Sequence, residues 1–295
     1  MALRFAYNTN GTASHRLDDA LMLMAETGYA GVALTLDHNH FDPFARDWEA
    51  NAKKLAQRLA GLGFGSVIET GARYLLDPRA KHEPTLVTAD PAGRARRIAF
   101  LHRAIDIGAT LGSEAVSFWA GVPKPGVDHA EAWDWLAAGL EQVVAYAGRR
   151  GVVAALEPEP GMLVETVDDY RRLAADLPGL KLALDTGHLL VTGERDPAAA
   201  IAEFKDLIGT VTIEDMRRGE HVHLPFGEGD MNMPSVLQAL EAAAFQGLVC
   251  VELSRDSHRA DLMIPEAFSY LSLCRQNIRS VPSPAAPAGR VDALA

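Results

Sequence analysis

The chain of 295 residues has few cysteines, fewer positive than negative charges, and no long apolar segment. Its two cysteines, Cys250 and Cys274, cannot form a disulfide framework or a thiolate zinc cluster, and we interpret both as small apolar residues in packed elements. The chain contains 28 lysines and arginines and 39 acidic residues, which gives a formal net charge of -11. That balance argues against a nucleic-acid partner or an anionic membrane surface. No run of 18 apolar residues and no signal peptide is found, so we expect a soluble, cytoplasmic protein.

Apolar strands alternate with segments of helical spacing along almost the whole chain. The predicted strands cover residues 3–8, 30–36, 65–70, 115–119, 152–157, 180–185, 209–214 and 248–253. Regular alternation of strand and helix predicts parallel crossovers, and eight such units fit an α/β fold of the (β/α)8 TIM barrel type. A doubly wound sheet usually has fewer strands, and no glycine-rich dinucleotide fingerprint follows the first strand. We therefore predict one barrel domain over residues 1–279 and a disordered tail, rich in proline and alanine, over residues 280–295.

Acidic residues end the last four predicted strands. These residues are Glu157, Asp185, Glu214 and Glu252. The carboxyl ends of barrel strands meet at one mouth, where catalytic groups gather. Several carboxylates at one mouth repel each other, and a divalent cation relieves that repulsion. Oxygen ligands with one or two imidazoles favour Mn²⁺ or Mg²⁺, with Co²⁺ or Zn²⁺ as alternatives.

The stretch from Leu182 to His188 shows why a single acid does not establish a metal site. It begins as an apolar strand and ends in Asp185, Thr186, Gly187 and His188. Asp and Thr are also preferred helix N-caps, so a cap is as good an interpretation of Asp185 as a metal ligand. The joint pattern of acids on neighbouring strands favours the metal site.

Four segments in this order carry a resemblance to a known family. They are Leu156-Glu157-Pro158, then Leu184-Asp185-Thr186-Gly187-His188, then Ile213-Glu214-Asp215-Met216-Arg217 with Phe226-Gly227-Glu228-Gly229-Asp230, then Val251-Glu252-Leu253-Ser254. The chain thereby resembles the sugar phosphate isomerase/epimerase family over roughly residues 1–279. These are xylose-isomerase-like TIM barrels that include ketose 3-epimerases, hydroxypyruvate isomerase and inosose dehydratase.

The resemblance implies a set of site residues. The family usually holds one Mn²⁺-like ion with a Glu, an Asp, a His and a Glu on strands five to eight. By resemblance, Glu157, Asp185 and Glu252 are three of these ligands, while His188 and Arg217 contact substrate. Relatives commonly form oligomers, so we expect a homo-oligomer that acts on a small sugar-like molecule.

Strand seven departs from the family pattern. The family's histidine should precede Ile213, but this chain has Thr212 there. Side chains alternate along a strand, so Glu214 points to the same side and is a candidate metal ligand. Alternatively, His221 or His223 folds back from the following loop, water fills the position, or the metal site is degraded. We also count His223 among the substrate-binding residues.

These residues predict a metal-dependent isomerase or epimerase that acts through an enediolate. Glu157 and Glu252 are the predicted catalytic acid and base, which move a proton at a carbon next to a carbonyl. Two alternatives remain open. The same site can serve a lyase, either a dehydratase or an enzyme that cleaves 3-keto-glycosides, and the loss of the strand-seven histidine also fits a sugar-binding barrel without turnover.

Overall fold

The computed structural model describes residues 2–280, and most of its strands form one barrel. In chain order the strands are β1 (Arg4–Asn8), β2 (Gly31–Thr35), β3 (Gly65–Glu69), β4 (Val116–Trp119), β5 (Ala154–Glu157), β6 (Leu180–Asp185), β7 (Ile208–Ile213), β8 (Asp215–Arg217), β9 (Glu220–Leu224) and β10 (Leu248–Val251). The closed order β1-β10-β7-β6-β5-β4-β3-β2 is parallel throughout. It confirms the predicted (β/α)8 barrel.

Helices between the strands surround the barrel. They are α1 (Leu17–Thr27), α2 (Trp48–Leu62), α3 (Pro91–Leu111), α4 (His129–Arg150), α5 (Val167–Asp176), α6 (Thr186–Thr192), α7 (Pro197–Phe204), α8 (Met233–Ala242) and α9 (Ala260–Ser280). Their starts follow from sequence, because Asp90, Asp128 and Asp196 each accept backbone hydrogen bonds as N-caps. Within residues 2–280, no helix is long and apolar enough to cross a membrane.

Side-chain alternation along the strands divides the core into two layers. Large residues such as Leu156 and Leu184 face outward and pack against the helices. Small residues fill the barrel interior, among them Ala155, Ala183 and Cys250. The same period places the next inward residue of each strand at the carboxyl mouth. Cys250 and Cys274 are both buried free thiols, as the sequence indicated.

Two elements differ from the sequence prediction. The segment after β7, predicted as a loop, forms the antiparallel hairpin of β8 and β9. A short helix, α6, begins directly after Asp185, where the sequence offered a helix cap only as an alternative to a metal ligand. The predicted tail over residues 280–295 lies, apart from Ser280 in α9, outside the described residues.

Candidate active site

A cavity of about 410 Å³ opens at the carboxyl ends of the barrel strands. Its floor contains the inward-facing acids Glu69, Glu157, Asp185 and Glu252. The long connection between β3 and α3 covers one side of it and contributes Arg73, Lys81 and His82, among others. A cavity of this size suits one small molecule with a few polar anchors.

Asp185 is both a helix cap and a carboxylate of this cavity. Its Oδ1 accepts hydrogen bonds from the backbone N–H groups of Gly187 (2.7 Å) and His188 (3.1 Å), which start α6. Its Oδ2 is buried and lies 3.7 Å from His188 Nε2, and the carboxyl group of Glu214 also contacts this side chain. The two interpretations of the sequence are therefore compatible, because each applies to a different oxygen.

His188 lies between three acids. Its Nδ1 is 3.0 Å from the carbonyl oxygen of Pro158, which can only accept, so Nδ1 carries a proton. Its Nε2 lies 3.7 Å from Asp185 Oδ2 and 3.8 Å from Glu159 Oε2. Ligand atoms of Glu157, Asp185 and His188 all lie within 4.8 Å of one another, a spacing that allows a shared metal ion.

Glu157 and Glu252 reach the cavity from strands that are not neighbours. Glu157 ends β5, and its Oε2 accepts a weak hydrogen bond from Ser117 Oγ at 3.5 Å. Glu252 directly follows β10, and its Oε1 accepts a hydrogen bond from Asn10 Nδ2 at 2.7 Å. In the barrel order β6 and β7 separate these two strands, so the two carboxyl groups enter from different sides.

Strand β7 carries Thr212 at the level of Asp185, with which it is paired in the sheet. Glu214 follows the strand and is completely buried. It contacts the side chain of Asp185 and does not line the cavity. From hairpin β8–β9, His223 reaches back between Glu214 Oε2 and Glu252 Oε1, at 4.0 Å from each.

Arg217 lies apart from these groups. Its side chain is 57% exposed on the hairpin and lies 3.8 Å from Glu220 Oε2, and it does not line the cavity. The structure therefore does not bring Arg217 to the cavity, where the sequence analysis expected it to contact substrate.

Burial and like charges shift the pKa values of the acids. Burial, and then Glu252, raises the pKa of Glu69 to about 8. Burial raises the pKa of Glu159 to about 7, against the opposing effect of His188. Burial also raises the pKa values of Glu157 and Glu214 well above the usual range, with further contributions from Glu159 and Asp185 respectively. Protons or a cation must therefore neutralise part of this cluster.

The pKa values of Asp185, His188 and His221 are shifted as well, each in its own direction. Burial disfavours the charged form of Asp185, but nearby His188 lowers its pKa below the usual value. Burial acts against charged His188 as well, while Asp185 and Glu159 together raise its pKa. Burial, with His188 and His223 nearby, lowers the pKa of His221 to about 4. His221 is consequently neutral at neutral pH, in the form that binds metals.

Two residues of this site, Glu159 and His221, were not assigned a role by the sequence. Their side chains approach within 3.7 Å, and with His188 they form a second group close enough to share an ion. Glu159 stands two residues beyond Glu157, so strand alternation is a signal that would have indicated it. His221 was only one of several open alternatives, because a position in a predicted loop has no defined direction.

The donor set fits a divalent cation. His223 Nδ1 is buried without a hydrogen-bond partner among the described residues, and the buried carboxyl group of Glu214 has only that of Asp185 as a side-chain partner. Unsatisfied buried polar atoms are costly and rare in proteins. Carboxylates combined with imidazoles are ligands for Mn²⁺, Co²⁺ and Zn²⁺. Glu157 and Asp185, which lie with His188 within reach of one ion, are suitable protein ligands at the cavity floor, and Glu252 lines the same cavity.

Comparisons with known proteins agree with this geometry. Residues 21–274 match the family described as Xylose isomerase-like TIM barrel. An inosose dehydratase of Geobacillus thermodenitrificans is 27% identical over 168 residues, which is 50% of this chain and 54% of that protein. The match therefore spans only about half the length of that curated relative.

Solved structures share the fold at low sequence identity. An L-ribulose 3-epimerase superposes with a TM-score of 0.75 at 21% identity, covering 97% of this chain and 100% of that one. The IOLI protein, solved with a bound zinc atom, superposes with a TM-score of 0.73 at 18% identity. The match covers 94% of this chain and 98% of that one. These likenesses establish the fold alone.

Proposed function

The chain belongs to the xylose isomerase-like TIM barrel family, and from that premise we propose that it is a divalent-metal-dependent isomerase or epimerase of a small sugar or polyol-derived ketone. The single observation that carries the proposal is the convergence of Glu157, Asp185 and Glu252 with His188 on one cavity at the barrel mouth. Mn²⁺ is the proposed ion, because the ligand set is rich in oxygen.

In this proposal Glu157 and Glu252 exchange a proton with a substrate carbon next to the carbonyl. They enter the cavity from different sides, so one can remove the proton and the other can return it on the opposite face. The raised pKa of Glu157, caused by burial, makes it a stronger base than an exposed carboxylate. Asn10 holds Glu252 in position through the 2.7 Å hydrogen bond.

The remaining groups position the substrate and stabilise charge. His188 presents Nε2 to the cavity, because its Nδ1 is held by the carbonyl of Pro158. That nitrogen is available to a substrate hydroxyl. A divalent ion held by Glu157, Asp185 and Glu252 would supply Lewis-acid stabilisation of the negative charge on the enediolate oxygens.

A dehydratase is the second candidate, and Glu159 is the observation that favours it. With a pKa raised to about 7 by burial, this residue keeps a proton in much of the neutral range. It therefore has a proton to give to a leaving hydroxyl group after the first proton abstraction. The partial match to an inosose dehydratase is consistent with this alternative.

Turnover in D₂O separates the two reactions. The Mn²⁺-loaded protein is incubated with panels of ketoses and of cyclitol ketones, and products are followed by NMR and mass spectrometry. Isomerisation leaves the product mass unchanged apart from the incorporated deuterium, whereas elimination removes water. Glu157→Gln and Glu252→Gln should each lower kcat by at least about 100-fold, the usual contribution of an acid–base group. Ligand binding without exchange or mass change would instead support a non-catalytic sugar-binding barrel.

A further inference from the structure

We propose that His223, on hairpin β8–β9, is the metal ligand that replaces the imidazole absent from strand β7, and that Glu214 positions it from behind. This inference rests on the proposed function, since it concerns the ion of the same site. It assigns one residue to a role that the sequence left open between Glu214, His221, His223 and water.

Strand β7 cannot supply the ligand itself. Thr212 pairs with Asp185 on β6 and with Cys250 on β10, so its side chain lies at the level of the cavity floor. The side chain is short and ends in a hydroxyl group. Metal sites of this kind are built from carboxylates and imidazoles, and a neutral hydroxyl is a poor substitute. An imidazole for this side of the site must therefore come from another element.

His223 lines the cavity and faces Glu252 from hairpin β8–β9. Its Nε2 is 4.0 Å from Glu252 Oε1. Two ligand atoms that each lie about 2.1 Å from an ion are separated by at most about 4.2 Å, so an ion fits between these two atoms. Its side chain is only 17% exposed, and its Nδ1 has no hydrogen-bond partner among the described residues.

Glu214 completes the arrangement on the far side of the ring. Its Oε2 lies 4.0 Å from His223 Nδ1. A metal-bound histidine usually donates its other N–H to a carboxylate or a carbonyl, which fixes the ring and its tautomer. Glu214 is then an acceptor for His223 and not a ligand, which explains a completely buried acid outside the cavity wall.

The chain makes room for Glu214 with a glycine. A Cβ atom at Gly187 would overlap Glu214 Oε1, so any other residue at this position would displace the carboxyl group. Gly187 belongs to the first turn of α6, which Asp185 caps. The same turn thus positions one predicted ligand and leaves space for the group behind the other.

Hydrogen bonds hold the hairpin β8–β9, which carries His223, in place. Asp215 accepts hydrogen bonds from the backbone N–H groups of Gly227 (2.8 Å) and Met231 (2.9 Å), and Asp230 N–H donates to the carbonyl of Met216 at 2.9 Å. These contacts close the segment that contains β9.

His221 provides a matched control on the same strand. It stands two residues before His223 and also lines the cavity, but its Nε2 faces Glu159 at 3.7 Å. The two histidines share one strand face and differ in the acid that they approach.

The test is Mn²⁺ affinity by calorimetric titration, together with the visible absorption of the Co²⁺-loaded protein. His223→Gln is compared with His221→Gln and with wild type, after circular dichroism has confirmed that each is folded. Loss of an outer-shell partner costs a metal site about 10- to 100-fold in affinity, so loss of a direct ligand should cost His223→Gln at least about 100-fold. We expect His223→Gln to lose more affinity than His221→Gln, and the double variant Thr212→His/His223→Gln to regain affinity.

Two results would overturn the inference while leaving the proposed function intact. One is His223→Gln binding Mn²⁺ like wild type; the other is a loss confined to His221→Gln, which would place the ion at the outer group of Glu159, His188 and His221. Wild-type protein that binds no ion would instead contradict the metal dependence in the proposed function itself.

Discussion

Replacing Glu69 with glutamine should stabilise the metal-free protein, and increasingly so as pH rises. The carboxyl group of Glu69 lines the cavity, and burial together with Glu252 raises its pKa from the model-compound value of 4.5 to about 8. The folded protein therefore binds a proton that the unfolded chain releases between these two values. Stability contributed by the protonated form is lost as pH rises through this range.

The size of the effect follows from the shift. Each pKa unit corresponds to about 1.36 kcal/mol. At pH 7 the folded-state proton on Glu69 is still bound, and the 2.5 units between 4.5 and 7 correspond to about 3 kcal/mol of destabilisation that glutamine does not incur. At pH 4.5 and below both states are protonated, and the difference between the two proteins should disappear.

Urea unfolding in the presence of a chelator measures the difference at about pH 5 and about pH 8. Glu69→Gln should exceed wild type in the free energy of unfolding at the higher pH and approach it at the lower. Saturating Mn²⁺ should reduce this difference in unfolding free energy, because a cation at the cavity floor favours the charged form of the Glu69 carboxyl group. A gap that is independent of pH, or that favours wild type at high pH, would refute the electrostatic reasoning.

Three further substitutions test other parts of the site. In urea unfolding with a chelator, Asp185→Asn loses the charge beside His188 but keeps the helix cap, whereas Asp185→Ala loses both and should be less stable than Asp185→Asn by about 1 kcal/mol. Equal losses in the two variants would argue against the capping role. Gly187→Ala should displace Glu214 and weaken Mn²⁺ binding in a calorimetric titration, and wild-type affinity would show that the carboxyl group has no part in the site. Arg217→Ala should leave KM for an identified substrate nearly unchanged, because exposed ion pairs contribute less than about 1 kcal/mol, whereas His188→Asn should raise it; a large rise in KM for Arg217→Ala would show that the hairpin arginine reaches the substrate.

The barrel itself could be predicted because its determinants are local. Eight apolar strands alternate with helical segments, and each strand carries its own period-two pattern. That pattern also explains why Glu157, Asp185 and Glu252 could be placed at the mouth from sequence: each follows small or apolar residues of a strand whose direction is known. Asp185 was ambiguous between cap and cavity carboxylate, and the structure shows that its two oxygens divide these roles.

The hairpin and its histidines could not be placed in the same way. Strand β8 has only three residues, Asp215–Arg217, with a charge at each end, and carries no readable alternation. The direction of His223 depends on the fold-back of β9 and on the contacts of Asp215 with residues 227 and 231, which are distant in sequence. Glu214 was predicted as a metal ligand, and sequence alone does not show that it is completely buried beside Asp185 and outside the cavity lining.

Metal content tests the central claim most directly. Wild type and Asp185→Asn, both purified without chelator, loaded with Mn²⁺ and freed of unbound ion, are compared by elemental analysis. The account predicts about one ion per chain in wild type and much less in the variant, because Asp185 is a buried carboxylate that lies with Glu157 and His188 within reach of one ion. Wild type without an ion, or a variant that retains it fully, would contradict the account.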